Sequence, residues 1–304
     1  PEELRAFSAR FDLALPDHEA LEAWIREEAK KWSQAHPGRR VKTDSVTLAR
    51  LVHQLRGLTE TDARRLVRNA IHDDGAITEA DLPQVTKLKY ELLDQSGILS
   101  FEFDTVRFAE VGGLERLKRW LGQRKDAFVA ADAMLDPPKG ILLVGVQGGG
   151  KSLAAKAVAG LWQLPLLRLD FGTLYNKFFG ETERNLRTTL RTAEAMAPCV
   201  LWVDEIEKAI ASGDYDSGTS KRVLGTLLTW LAEHQRSVFL VATANRIDQL
   251  PPELIRKGRL DEIFFVDLPD PAVRAQIFAI QLTKRDQAVQ RFDLKTLAAH
   301  SEGF

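Results

Sequence analysis

The spacing of hydrophobic residues changes along the chain near Gly97. From about residue 18 to 95, apolar residues recur three or four positions apart, which is typical of helices, as in Leu48, Leu51, Val52 and Leu55. A cap at Thr59 or Thr61 predicts a new helix over Asp62 to Ile71. Residues 1–100 are therefore predicted to form a small helical domain.

After Gly97, short apolar runs alternate with amphipathic stretches. The runs predict β-strands at Ile141 to Val144, Leu166 to Leu169, Val200 to Val203, Val238 to Ala242 and Ile263 to Val266. Because helical stretches separate these five strands, we expect an α/β domain over residues 101–267, with a parallel sheet covered on both faces. Residues 268–304 turn helical again, with a helix predicted over Val273 to Leu282.

The two helical segments share a sequence pattern. The matched positions are Phe11 and Phe264, Leu15-Pro16-Asp17 and Leu268-Pro269-Asp270, Leu48 and Leu294, Leu51 and Leu297, and Gly57-Leu58 and Gly303-Phe304. This spacing predicts a duplicated module. The alternative is two unrelated helices that each begin after a proline.

The composition is that of a soluble globular protein of roughly two domains, with 304 residues, 44% hydrophobic and 28% charged. Lys and Arg number 42 against 43 Asp and Glu, so we expect no nucleic-acid partner. Cys199 lies in an apolar run and is expected to be a buried residue in a reducing compartment. The sequence opens on Pro1 rather than Met, and it contains neither a signal peptide nor about 18 consecutive apolar residues. We therefore expect a cytoplasmic location and no membrane insertion.

The segment Gly145 to Ser152 matches the phosphate-loop pattern G-x-x-x-x-G-K-[ST], after a predicted strand and at the start of a predicted helix. Glycines are needed because backbone N–H groups turn inward around the phosphates, in conformations with positive φ. Lys151 is expected to reach the β- and γ-phosphates of ATP, and Ser152 to bind Mg²⁺. The other expected nucleotide contacts are Gly145, Gln147, Gly148, Gly149, Gly150 and Leu153.

Polar residues follow two of the predicted strands. In a parallel sheet, the carboxyl ends of the strands lie beside the phosphate loop. Asp204 is therefore expected to bind Mg²⁺ through water, and Glu205 to polarise the attacking water as general base. Asn245 is the candidate sensor of the γ-phosphate or of that water. Its alternative role is a turn-forming asparagine.

Arg256 and Arg259 lie too far along the chain to fold back onto their own phosphates. They suit the site of a neighbouring subunit, where an arginine supplied in trans is worth about 10³ to 10⁵ in rate. Solvated surface arginines are the alternative.

Taken in order, these motifs resemble the AAA clade of the AAA+ ATPases over about residues 105–304. The motifs are Val111-Gly112-Gly113-Leu114, the phosphate loop, Asp204-Glu205, Asn245 and Arg256-Lys257-Gly258-Arg259-Leu260-Asp261. The resemblance implies a P-loop NTPase large subdomain with strand order 5-1-4-3-2, a helical lid after it, and a working ring that is usually a hexamer. It also implies that the backbone near Gly112 lines the adenine pocket and that Arg256 and Arg259 are arginine fingers.

The same resemblance aligns Leu174 to Glu181 with the first pore loop of the family. In that role Lys177, Phe178, Phe179 and Gly180 would grip a polypeptide, although a core or interface role for the phenylalanines remains an alternative. The segment Gly213 to Ser220 is interpreted as a mobile loop over the pore or, alternatively, as a surface linker.

Three stretches resemble one branch of the clade closely, the family named for hypothetical chloroplast reading frame forty-six. They are Trp162 to Asp170, Ala197 to Ile206 and Gly145 to Gly148. Members carry a degenerate ATPase module ahead of the working one, so residues from about 9 to 97 are interpreted as the lid of such a module. Gly149 stands where Thr is usual, and no sensing residue of the C-terminal lid is assigned because the sequence stops at Phe304.

Three uses of ATP hydrolysis fit these motifs. The first is a ring that remodels or threads a protein substrate through its pore. The second is a regulator that acts on a partner without threading. The third, a nucleic-acid motor, is disfavoured by the neutral charge balance.

Overall fold

The computed structural model describes residues 16–303, except 73, 95–96, 104, 106, 130–135, 178–180, 210–216, 235–236 and 257. The chain divides into two compact units, the first ending at Leu93 and the second beginning at Asp94. The sequence predicted a domain boundary between residues 100 and 101. That position lies inside a strand of the second unit, Leu99–Glu102. Within the described ranges, no helix has both the length and the apolar character needed to cross a membrane.

The described part of the first unit is helical. Its helices are α1 (His18–Ala35), α2 (Ser45–Leu55), α3 (Glu60–His72) and α4 (Leu82–Leu93). Leu51, Val52 and Leu55 on α2 are almost fully buried, as their spacing predicts. The hydroxyl of Thr59 accepts from the N–H of Asp62 (3.3 Å), so Thr59 rather than Thr61 caps α3.

Within the described part of the second unit, six strands form one sheet in the order β1-β3-β4-β5-β2-β6. The strands are β1 (Leu99–Glu102), β2 (Gly140–Val144), β3 (Leu166–Leu169), β4 (Cys199–Val203), β5 (Val238–Ala244) and β6 (Glu262–Phe265). Strands β2 to β6 are parallel. When these five are numbered 1 to 5 along the chain, their order across the sheet is 5-1-4-3-2, which confirms the expected order.

Strand β1 corrects the prediction of a five-stranded sheet. It pairs antiparallel with β3 at the edge, with Leu99 opposite Leu169 and Glu102 opposite Leu166. Only Leu99 in β1 is fully buried, whereas every residue of β2, β4 and β5 is. A short edge strand lacks the continuous apolar run that marks a strand buried on both faces, so its sequence signal is weak.

Helices of the second unit follow the strands. They are α5 (Glu115–Val129), α6 (Lys151–Trp162), α7 (Phe171–Lys177), α8 (Thr182–Ala195), α9 (Ser217–Glu233), α10 (Pro271–Thr283) and α11 (Leu294–His300). Trp162 and Phe239 pack with ring centroids 4.5 Å apart between α6 and the sheet, and Cys199 is buried as expected. This core fixes the strand ends from which the site is built.

The helices at the two ends of the chain begin and end in similar ways. Asp17 caps α1 and Asp270 caps α10, each accepting from the backbone N–H three residues on at 2.8 Å. Gly57 after α2 and Gly303 after α11 are both left-handed, with φ of 83° and 88°. These similarities fit the predicted duplication, which stays a prediction. Three matched positions, Phe11, Leu15 and Phe304, lie outside the described residues.

Candidate active site

The predicted phosphate loop joins the buried strand β2 to α6. Gly148 and Gly150 are left-handed, with φ of 83° and 92°, as required to turn successive N–H groups to one side. At Gly145, a Cβ would lie 1.9 Å from the carbonyl oxygen of Val266. The start of the loop is therefore pressed against the end of β6, and only glycine fits there.

Lys151, the first residue of α6, lies across this loop. Its ammonium donates to the carbonyls of Gly145 and Val146, both at 2.8 Å, and the residue is only 7% exposed. Ser152 and Leu153 in the same helical turn are exposed. The helix N-terminus, with its free N–H groups and positive dipole end, makes this loop a favourable place for an anion.

Asp204 and Glu205, which follow β4, are held by one buried hydroxyl. Thr243 donates from its hydroxyl to Asp204 Oδ1 (2.7 Å), and the same hydroxyl accepts from the N–H of Glu205 (2.9 Å). Arg168 donates to Asp204 Oδ2 at 3.3 Å. Thr243 and Arg168 were missed from the sequence. The available signal was a threonine in the otherwise apolar strand β5, and an arginine in the apolar strand β3.

Glu205 has a left-handed backbone (φ 50°), which is uncommon for a residue with a side chain and is one of the strained conformations that functional sites can retain. Its Oε1 accepts from Asn245 Nδ2 at 3.1 Å, so the structure brings the predicted base and the predicted sensor together. Its Oε2 is ion-paired with Lys208. Buried Glu207 accepts from the N–H of Asn245 (2.9 Å) and so holds the sensor segment.

These contacts set the charge of the site. The hydrogen bond from Lys208 is the main cause that lowers the pKa of Glu205, and Asn245 and the charge of Lys151 act in the same direction against the effect of burial. The same pairing with Glu205 raises the pKa of Lys208. Glu205 is therefore ionised at neutral pH, and Lys151 is near enough to influence it. Lys208 was also missed from the sequence.

The segment of Arg256 and Arg259 joins the sheet at the opposite end of β2 from the phosphate loop. Their segment precedes β6, whose Glu262 pairs with Ile141 near the amino end of β2, whereas the phosphate loop follows the carboxyl end of β2. A strand of five residues at about 3.3 Å per residue separates the two ends by about 16 Å. Arg259 Nη1 donates to the carbonyl of Glu253.

The segment expected near adenine packs against helix α10. The N–H of Gly113 donates to Gln276 Oε1 at 3.0 Å, and Gly113 is left-handed with φ of 69°. A Cβ on Gly112 would lie 2.9 Å from Ile277 Cγ1. The expected adenine-binding backbone therefore meets the first helix after the sheet, and Gln276 is a further residue that sequence reasoning missed.

The pore-loop predictions fall largely outside the described residues. Phe178, Phe179 and Gly180 lie there, and Lys177 is the last residue of α7. Of the segment Gly213 to Ser220, helix α9 takes in the part from Ser217 onward. The gripping role and the mobile loop stay predictions.

A parallel sheet whose strand β2 enters a glycine-rich loop and helix, with two acids after β4, defines a P-loop nucleotide hydrolase. Comparison with known families agrees. Residues 141–268 match the model of the ATPase family associated with various cellular activities (AAA), and residues 19–96 match the model of the SpoVK-like AAA ATPase, second domain. Residues 141–268 therefore form an AAA ATPase domain.

Curated relatives support the same assignment. An uncharacterised AAA domain-containing protein ycf46 of Guillardia theta is 45% identical over 263 residues, which is 85% of this chain and 52% of the relative. Its namesake in Pyropia yezoensis is 40% identical over 292 residues, 94% of this chain and 58% of the relative. The proteasome-activating nucleotidase of Aeropyrum pernix is 39% identical over 211 residues, 66% of this chain and 51% of that protein. The chain spans about half the length of the curated relatives it matches. These matches confirm the predicted resemblance.

Proposed function

We propose that this protein binds ATP with Mg²⁺, hydrolyses it in a ring of identical subunits, and uses the energy to remodel a protein substrate. The observation that carries the hydrolytic part is the cluster of Asp204, Glu205, Thr243 and Asn245 around the end of β4. The N–H of Gly145 donates to the carbonyl of Ala244 at the end of β5 (3.2 Å), between Thr243 and Asn245 in the chain, which supports placing the phosphate loop and this cluster in one site.

The residues present fit a magnesium nucleotide. Ser152 offers a hydroxyl and Asp204 a carboxylate, which are the oxygen ligands that Mg²⁺ prefers. When bound, Mg²⁺ would neutralise charge on the phosphates. The N–H of Gly145 donates to the carbonyl of Ala244 and that of Gly149 to the carbonyl of Val146, both at 3.2 Å. The N–H groups of the left-handed Gly148 and Gly150 and the N-terminus of α6 would hold the phosphate oxygens, with Lys151 supplying positive charge.

Glu205 would orient and polarise the attacking water. An ionised carboxylate can accept a hydrogen bond from water, and Asn245 holds one of its oxygens in place. Steady-state turnover and ATP binding of Glu205→Gln test this role. We expect ATP binding to be retained and hydrolysis to be much slower, because the amide cannot act as base. Normal turnover would show that Glu205 is not the base.

The placement of Arg256 and Arg259 supports a shared site. They lie near the amino end of β2, about 16 Å of strand from their own loop. We propose that they act on the nucleotide of a neighbouring subunit, as arginine fingers in a hexamer. Arg256→Ala should then bind ATP normally and lose turnover only in the assembled ring. Loss of ATP binding by isolated subunits would contradict a role in trans.

Protein remodelling is favoured as the use of the energy by the similarity to the proteasome-activating nucleotidase and to the cell division cycle protein 48 homologue of Archaeoglobus fulgidus (35% identical over 214 residues). We propose that Lys177 to Gly180 contact the polypeptide. The test is ATPase stimulation by an unfolded protein such as casein. The wild-type rate should rise, and Phe178→Ala and Phe179→Ala should abolish the rise. If casein stimulated the ATPase of both variants as strongly as that of the wild type, threading through this segment would be excluded.

A further inference from the structure

The side-chain ammonium of Lys139, the residue before β2, donates hydrogen bonds to three main-chain carbonyls. These belong to Leu231 (3.2 Å), Ala232 (2.9 Å) and Gly258 (3.2 Å). A lysine ammonium has three N–H donors, and each has an acceptor here. Lysines on protein surfaces usually leave their charge in water, so this arrangement indicates a fixed junction between two separate segments.

The acceptors come from functionally different parts of the second unit. Leu231 and Ala232 belong to the last turn of α9, where free carbonyls and the negative end of the helix dipole favour a cation. Gly258 lies between Arg256 and Arg259 and is left-handed, with φ of 93°. Lys139 therefore joins the end of α9 to the turn that carries both arginines.

A second set of hydrogen bonds fastens the other side of this turn to the same place. Asp261 Oδ2 accepts from the N–H groups of Lys139 (2.7 Å) and Gly140 (2.8 Å). The N–H of Asp261 donates to the carbonyl of Gly140 at 2.8 Å. The segment from Gly258 to Asp261 is thus held at its first residue by Lys139 and at its last by Lys139 and Gly140, where β2 begins. The phosphate loop follows the other end of that strand.

We propose that Lys139 is a positioning residue for the two arginines that each subunit offers to its neighbour. The inference rests on the proposed role of Arg256 and Arg259 in trans. Without the ammonium, the Gly258 carbonyl and the end of α9 lose their shared donor, and the turn is free to shift relative to β2. Because a misplacement of about 1 Å can cost about 10²-fold in rate, we expect Lys139→Met to lower kcat by about 10- to 100-fold.

Subunit mixing tests this proposal on the assembled protein. A Lys139→Met subunit keeps its phosphate loop and Glu205, whereas a Glu205→Gln subunit lacks the base but keeps a correctly held arginine turn. When the two are mixed, the arginines of Glu205→Gln subunits should complete the nucleotide sites of Lys139→Met subunits. The ATPase rate of the mixture should therefore exceed the sum of the separate rates. Mixing Lys139→Met with Arg256→Ala should give no gain, since both defects lie in the same part of the shared site.

Two controls separate the possible failures. Lys295→Met removes an exposed lysine on α11 and should leave turnover unchanged. Arg256→Ala mixed with Glu205→Gln reports on the role in trans itself, and no gain there would overturn the proposed shared site. A gain in that mixture but none with Lys139→Met would overturn only the role of Lys139.

Binding of a fluorescent ATP analogue completes the test. Lys139→Met should bind it as the wild type does, because the phosphate loop is untouched. The shorter variant Lys139→Gln serves as a second case in the event of poor folding. Loss of binding in both variants would mean that Lys139 supports the fold as a whole, and the proposal would be wrong.

Discussion

Replacing Thr243 with valine tests whether one buried hydroxyl holds both acids of the site. Valine has nearly the same shape, but Asp204 would lose a donor at 2.7 Å and the N–H of Glu205 an acceptor at 2.9 Å. A buried polar group left without its partner costs about 1–3 kcal/mol of folding free energy. With about 2 kcal/mol lost, a domain of this size should melt about 4–8 °C lower.

A larger effect of Thr243→Val is expected on turnover. The left-handed backbone of Glu205 persists because its surroundings hold it, and the hydroxyl of Thr243 is one of those restraints. A shift of about 1 Å in the acids would cost about 10²-fold in rate. At 1.36 kcal/mol per tenfold, that is about 2.7 kcal/mol in the activation barrier. The KM for ATP should change little, because Gly145 to Ser152 are not touched.

Steady-state ATPase assays and thermal melting of matched variants decide the point. Thr243→Ser keeps the hydroxyl and should retain most of the turnover. Thr188→Val removes an exposed hydroxyl on α8 and should behave as wild type in both assays. An unchanged kcat for Thr243→Val would show that the two acids do not depend on this hydroxyl.

Three other contacts can each be tested by a single substitution. Because pairing with Lys208 lowers the pKa of Glu205, Lys208→Met should raise that pKa. The acidic side of the plot of kcat against pH should then move to higher pH, and an unchanged plot would contradict the prediction. Gly145→Ala places a methyl group 1.9 Å from the Val266 carbonyl and should abolish binding of a fluorescent ATP analogue, so normal binding would show that the loop can move. Gln276→Ala frees a backbone N–H of the expected adenine-binding segment and should raise the KM for ATP more than it lowers kcat, whereas an unchanged KM would separate this contact from nucleotide binding.

The strands in the middle of the parallel sheet could be predicted from the sequence because burial on both faces leaves them almost entirely apolar. Strands β2, β4 and β5 show this most clearly. The edge strand β1 could not be predicted in this way, since its four residues from Leu99 to Glu102 form only one short stretch at the edge of the described sheet. Its antiparallel pairing with β3 depends on a contact between distant parts of the chain, which local pattern does not encode.

Residues of the candidate site could be predicted from the sequence where they belong to a motif with fixed spacing. Lys151, Asp204, Glu205 and Asn245 belong to such motifs, and the structure brings Glu205 and Asn245 together. Their supporting residues were missed for a physical reason. Thr243 is distinguished only by the partners that the fold places beside its side chain.

The same limit applies to residues that hold backbone groups. Gln276 reaches Gly113, and Lys139 reaches Gly258, across long stretches of chain. Neither lies in a pattern of fixed spacing, and both act on main-chain atoms that every residue possesses. Side chains of this kind are recognised only once the sheet has brought the segments together.

In the proposed function, hydrolysis takes place at a site completed by a second subunit. Electron cryomicroscopy of the Glu205→Gln protein with ATP and Mg²⁺ tests it most directly, because slow hydrolysis keeps the nucleotide in place. We expect a closed ring in which Arg256 or Arg259 contacts the γ-phosphate held by the neighbouring subunit's Lys151. Isolated subunits with bound ATP, or arginines that contact the nucleotide of their own subunit, would contradict it.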